Sequence, residues 1–185
     1  IKRTMNQQDL FQQIIVDAEQ CIGIPYVRWG KDKNWFDCSG FILWLFSQLG
    51  IVFEVRFRTV EFFADAKLIP LEEVQQGDLM FWHEEPGKTE HNFVYHIEMI
   101  VDKPFFQNGK KMIKTIGASK NKDGFNLLGA PLESEGVDYR IREIDQRKSF
   151  GRVSYWDQIL EYQKTWDSQH LNVKKPQDVK TRREL

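Results

Sequence analysis

Cysteine is scarce in this chain, and no apolar run in it is long. Only Cys21 and Cys38 are present among 185 residues, too few for a disulfide scaffold. No CxxC or HExxH spacing occurs, so no zinc site is proposed and no metal or organic cofactor is expected. No stretch approaches the ~20 apolar residues that span a bilayer, so no transmembrane segment is expected. No signal peptide is visible, and the first residue is Ile1 rather than Met. The net charge is −1, which supplies no basic excess for nucleic acid.

Length and composition fit one soluble globular domain with a real core: 41% apolar and 29% charged residues. Aromatics reach 14%, which suits an aromatic core or a groove that contacts carbohydrate or peptide. Helical spacing of Leu10, Phe11, Ile14, Ile15, Ala18 and Ile22 predicts a helix over 6–22, capped by Asn6 or Asp9. Gly23 and Pro25 end it, and a loop runs over 23–37. A second helix is expected over 38–49, stopped by Gly50, and a shorter one over 59–67. The period then changes. Strands are expected at 78–82, 94–101, 112–116, 139–144 and 152–156, followed by a helix over 156–166. Helices first and strands after predict an α+β domain with an antiparallel sheet over residues 1–166. From 167 the chain is polar, and residues 174–185 carry five Lys or Arg against two Asp or Glu. That composition predicts a mobile basic tail.

The chemistry centres on Trp35-Phe36-Asp37-Cys38-Ser39-Gly40, followed at once by the apolar run 41–46. The pattern puts Cys38 in the first turn of a buried helix, where free amides and the helix dipole favour a thiolate. Asp37 reads as the helix cap. Cys21, near the end of the first helix, reads as structural. A thiol nucleophile needs a base and a group that orients the base. Of His83, His91, His96 and His170, only His96 opens a core-like strand, and alternation puts Glu98 on its face. Glu98 reads equally as an orienting group or as part of a groove wall, and Tyr26 equally as core or as site. Arg28, Lys31 and Lys33 read as a solvated basic loop rather than carboxylate binders.

Three blocks, in order, are similar to the NlpC-type cell-wall cysteine peptidases of the papain-like superfamily. They are Gly23-Ile24-Pro25-Tyr26 with Trp29-Gly30 and Phe36-Asp37-Cys38-Ser39-Gly40; Gln76-Gly77-Asp78-Leu79-Met80-Phe81; and His96-Ile97-Glu98-Met99-Ile100-Val101. The resemblance covers about residues 9–120. It implies a papain-like core in which the nucleophile helix packs on a central antiparallel sheet that bears the histidine. It implies Cys38 as nucleophile, His96 as base, Tyr26 near the oxyanion, and Asp37 and Ser39 shaping the cysteine turn and contacting substrate. Gly40 would permit close packing of the helix.

The family usually has a third polar residue just before an Ala-Ser or Ala-Pro pair. The matching stretch is Ile116-Gly117-Ala118-Ser119, so glycine stands there. A backbone carbonyl, Thr115 or Glu98 would have to replace it. The long loops 83–95 and 120–138 would wall the groove. The implied activity is hydrolysis of amide bonds in peptidoglycan stem peptides, such as the D-glutamyl–diaminopimelate link. The implied location is the cell envelope, periplasmic or secreted, with the leader removed, or a phage particle. Two other readings share these residues: an amidase or acyltransferase on non-wall amides, and a non-catalytic wall-binding or phage tail module.

Overall fold

The computed structural model describes residues 5–88, 92–122, 125, 130, 132 and 135–169. Helix α1 spans Gln7–Glu19. Asn6 is its cap, and Asp9 completes the box by accepting the Asn6 N–H at 3.0 Å. The helix ends earlier than its apolar pattern, and Cys21 continues in a turn closed by its N–H on Ala18 O. The loop that follows is more ordered than its composition suggests. It carries a short hairpin, β1 (Lys31–Asp32) with β2 (Trp35–Phe36).

Helix α2 (Cys38–Gln48) is buried along most of its length, as its continuous apolar run requires. Gly40 earns its place here. A Cβ on it would lie 1.9 Å from the carbonyl oxygen of Gly30, so only glycine lets the loop lie against the helix start. Helix α3 (Thr59–Asp65) follows. The strands are β3 (Lys67–Ile69), β4 (Leu79–His83), β5 (Val94–Ile100), β6 (Phe105–Gln107), β7 (Lys110–Ser119), β8 (Gly136–Glu143) and β9 (Lys148–Arg152). Helix α4 (Tyr155–Gln169) comes last.

The last strand expected from sequence, over 152–156, needs correction. The strand is 148–152, and Trp156 belongs to α4 because its ring is needed in the core. There it packs on Phe11 and Phe46 and donates to Gly77 O at 3.2 Å. β3 and β6 carried no alternation long enough to read in advance. Residues 167–169, expected to open the polar tail, belong to α4, and the rest of that tail, with His170, lies outside the described residues, as do His91, Gly124, Gly129 and Pro131.

Seven strands pair antiparallel in the order β3-β9-β4-β5-β7-β6, with β8 also on β7. The larger core lies between the sheet and α1, α2 and α4. It gathers Phe41, Leu45 and Phe46 of α2 against Phe81, Ile97, Met99 and Ile116 of the sheet. A smaller cluster of Ile69, Val74, Met80, Ile100, Ile113 and Phe150 takes the alternate positions of the same strands. Helix α2, which bears Cys38, thus packs on a central antiparallel sheet, the papain-like α+β arrangement that the sequence blocks implied.

The Gly77-Asp78 block has a structural reason. Gly77 turns the chain at φ 87°, and Asp78, fully buried, takes two bonds from Arg152 at 2.8 and 2.9 Å and one from Gln75 N at 2.8 Å. That clamp ties the start of β4 to the end of β9.

Candidate active site

Asp37 builds the platform for Cys38. Its Oδ1 accepts the Gly40 N–H at 2.7 Å and the Ser39 hydroxyl at 3.2 Å. Its Oδ2 accepts the Trp29 N–H at 2.9 Å and pairs with Arg56. Arg56 in turn donates to Trp29 O at 2.8 Å, which holds Trp29 in the left-handed region at φ 71°. One carboxylate therefore caps α2 and fastens the preceding loop. Asp37 and Ser39 are both buried, with their side chains joined in this cap.

Cys38 opens α2 and is 6% exposed. Its Sγ lies 3.7 Å from Thr59 Oγ1, at the start of α3. Burial works to raise the thiol pKa. The hydrogen bond and charge of His96, with help from Thr59, outweigh it and carry the thiol below its ordinary value. Thr59 and Arg56 were not read from the sequence. Their only local signal was a helix start after a basic loop, and their partners are 21 and 19 residues away in the chain.

His96 faces Cys38 from the start of β5. Its Nε2 lies 3.0 Å from Glu98 Oε1, which leaves Nδ1 for the thiol. Burial opposes charge on the ring, but bonds to Cys38 and Glu98 and their charges raise its pKa to about 9. Thiol and imidazole are thus shifted toward a thiolate–imidazolium pair.

Glu98 is fully buried. Arg142 grips it with a fork, NH2 to Oε1 at 2.6 Å and Nε to Oε2 at 3.2 Å. Thr115 donates to its Oε2 at 2.5 Å. Burial would raise the carboxyl, yet the charge of Arg142 and the bond from His96 hold it well below the usual carboxylate range. Thr115, named as a possible orienting group, meets Glu98 and not the imidazole. Gly117 stands beside this pair. A Cβ there would lie 2.6 Å from Glu98 Cγ.

Trp82 closes the other side of His96. The two residues are cross-strand partners, with ring centroids 4.7 Å apart and edge to face. Arg142 and Lys148 sit over the indole at 5.4 and 5.5 Å. Neither Trp82 nor Arg142 was singled out in advance, because β4 meets His96 and β8 meets Glu98 only in the folded sheet. A cleft of about 570 Å³ opens at His96, walled by Tyr26, Trp82, Tyr95, Arg142 and Lys148. Tyr26 lies close enough to Cys38 for the thiolate charge to act on it. Burial, then that charge, push its hydroxyl up to about 12, so it stays a donor at neutral pH. Among the described residues no group of His, Cys, Asp and Glu could hold a metal ion.

A buried thiol at a helix start, paired with a strand histidine in a papain-like core, defines the class as cysteine peptidase. The NlpC/P60 family profile matches residues 23–130. The chain belongs to the NlpC/P60 family, whose members are cysteine peptidases. It is 26% identical over 129 residues to the gamma-D-glutamyl-L-lysine dipeptidyl-peptidase of Bacillus subtilis, covering 70% of this chain and 40% of that one. It is 33% identical over 84 residues to Protein P54 of Enterococcus faecium, 45% of this chain and 15% of that one. The chain therefore spans well under two thirds of either relative. Among solved structures, a lipoprotein-like NLP/P60 family protein from Staphylococcus aureus superposes with TM-score 0.52 at 22% identity, over 78% of this chain and 41% of the other. An NlpC/P60 family protein from Bacillus cereus gives 0.51 at 21%, over 81% and 40%. At that identity these two likenesses speak for the fold.

Proposed function

We propose that this protein is a cysteine endopeptidase or amidase that hydrolyses amide bonds in peptidoglycan stem peptides through an acyl-enzyme on Cys38. The observation that carries this reading is a buried Cys38 at the start of α2 with His96, which lines the cleft, as the partner that lowers the thiol. The Cys38 thiolate attacks the amide carbonyl and forms a tetrahedral oxyanion. Free amides at the start of α2 and the Tyr26 hydroxyl, which stays protonated, are the donors proposed for that charge. The His96 imidazolium gives its proton to the leaving amine. Water, deprotonated by His96, then releases the acid and restores the thiol.

The name of the B. subtilis relative places its own bond after a γ-D-glutamyl residue. It supports a γ-D-glutamyl link as the bond cut here, in wall material reached at the cell envelope. The domain is taken as residues 1–166. Glu98 gives His96 a polar partner, which supports a catalytic pair over a non-catalytic module.

The test is mass spectrometry of purified peptidoglycan and of γ-D-glutamyl muropeptides after digestion. New amine and carboxyl ends on the stem peptide are expected with the wild type and none with Cys38→Ala. Intact stem peptides after wild-type digestion would overturn the substrate. Equal products from Cys38→Ala would overturn the nucleophile.

A further inference from the structure

Gly117 and Glu98 occupy one space. They sit on adjacent strands, one step along from the Met99–Ile116 pair. Any side chain at 117 would collide with Glu98, since its Cβ alone would lie 2.6 Å from Cγ. The carboxylate that fills the space is not idle. One oxygen takes the Nε2 side of His96 at 3.0 Å, and Thr115 and the Arg142 fork spend the remaining acceptor sites. A fully buried carboxylate with this many donors has one available position. Trp82 packs edge to face on His96 and lies under two cations, one of them Arg142 itself, which limits how the ring can turn.

We propose that Glu98 is the positioning residue for His96, working from the histidine's own strand in the place that Gly117 leaves open, with Arg142 and Thr115 acting through it. The proposal rests on Cys38 and His96 being the reacting pair. The groups that face this pair are known from each element around it. They are Asp37 at the start of α2, Thr59 on α3, Glu98 on β5, Thr115 on β7, Arg140 and Arg142 on β8, Lys148 across Trp82, and Tyr26 from the loop. Two consequences follow. Without the Glu98 charge, the buried imidazole gives up its proton first, and the thiol stays protonated at neutral pH. A polar side chain restored at 117 should take over once Glu98 is cut back.

Alkylation by iodoacetamide tests this without any peptidoglycan. Cys21, 1% exposed with its thiol raised to about 11, stays silent. The rate at Cys38 is followed from pH 4 to 10 by peptide mass spectrometry. Glu98→Gln should slow alkylation at pH 7 by roughly tenfold or more and move its midpoint up by about one pH unit. Glu98→Ala/Gly117→Asn should react severalfold faster than Glu98→Ala. If circular dichroism shows that Glu98→Gln does not fold, Gly117→Ala displaces the carboxylate while keeping its charge, and the midpoint should move the same way. An unchanged profile in these single variants, or a double variant no faster than Glu98→Ala, overturns the proposal alone. A wild-type profile with no thiolate near neutral pH overturns the reacting pair, and the proposal with it.

Discussion

Cys21 and Cys38 are both free, both buried and both beside a helix end, at 1% and 6% exposure, yet their chemistry is opposite. Cys21 follows the C-terminus of α1, where the dipole and the Asp17 carbonyl face it with negative charge. Burial pushes its thiol up to about 11. Cys38 begins α2 and meets His96, and its thiol is shifted down. Burial decides the outcome at Cys21 and is outweighed at Cys38, where the histidine across from the sulfur reverses it. His83 and His96 repeat the lesson on neighbouring strands. His83 is fully buried between Asn92 Oδ1 at 3.0 Å and Ser149 Oγ at 2.7 Å, both neutral, and burial lowers its pKa. His96 has charged partners and is raised to about 9.

The largest test of the contrast is exchange of each sulfur. Cys38→Ala should cut turnover by at least about 10⁴-fold, and Cys21→Ala should leave it within about twofold, measured on the same muropeptide. A comparable loss from both would erase the distinction. Next comes the packing that holds the α2 start in place. Gly40→Ala forces its Cβ against Gly30 O and should cost about 2–4 kcal/mol in urea unfolding. The helix caps give a smaller, sharper comparison. Asp37→Ala should cost about 2 kcal/mol, because it also frees Arg56, and should move the Cys38 alkylation midpoint down, because the Asp37 charge that raises the thiol is gone. Asn6→Ala, at the other helix, should cost about 1 kcal/mol with alkylation unchanged.

The smallest effects are in pH. The raised pKa of His96 gives stability that is full below 6.5 and fades as pH rises to about 9. His83, lowered in the fold, gives stability that is full above 6.5 and fades as pH falls through its depressed value. Melting temperatures from pH 5 to 10 should therefore lose their alkaline slope in His96→Gln and part of their acid slope in His83→Gln. Each slope is limited to one proton, about 1.4 kcal/mol per pH unit. The same slopes in both variants would show that the two rings are not held differently.

Much of this was legible in the chain. Phe36-Asp37-Cys38-Ser39-Gly40 reads locally as a cap, a nucleophile position and a glycine, because helix starts are built from neighbours in sequence. His96 could be separated from His83 and His91 because the apolar run that follows it reads as a core strand, which in the fold starts two residues earlier at Val94. Glu98 and Thr115 were visible as candidates, since alternation alone puts Glu98 beside His96. Their order was not: Thr115 holds Glu98, and only Glu98 touches the ring. The strand at 148–152 was misplaced by a few residues because Trp156 carries no strand or helix signal until Phe46 and Gly77 surround it.

The sequence by itself determined the helix that bears Cys38, the strand that bears His96, and the thiol–imidazole chemistry expected of them. Periodicity and capping act over a few residues and survive in any short window. Only the tertiary structure decided the rest. Thr59 beside the sulfur, Arg56 under the Asp37 cap, Trp82 against the imidazole and Arg142 on Glu98 come from α3, the loop before it, β4 and β8. The vacancy at Gly117 that Glu98 fills is of the same kind. Such contacts depend on strand order and on exclusion of volume, and neither is written in local pattern.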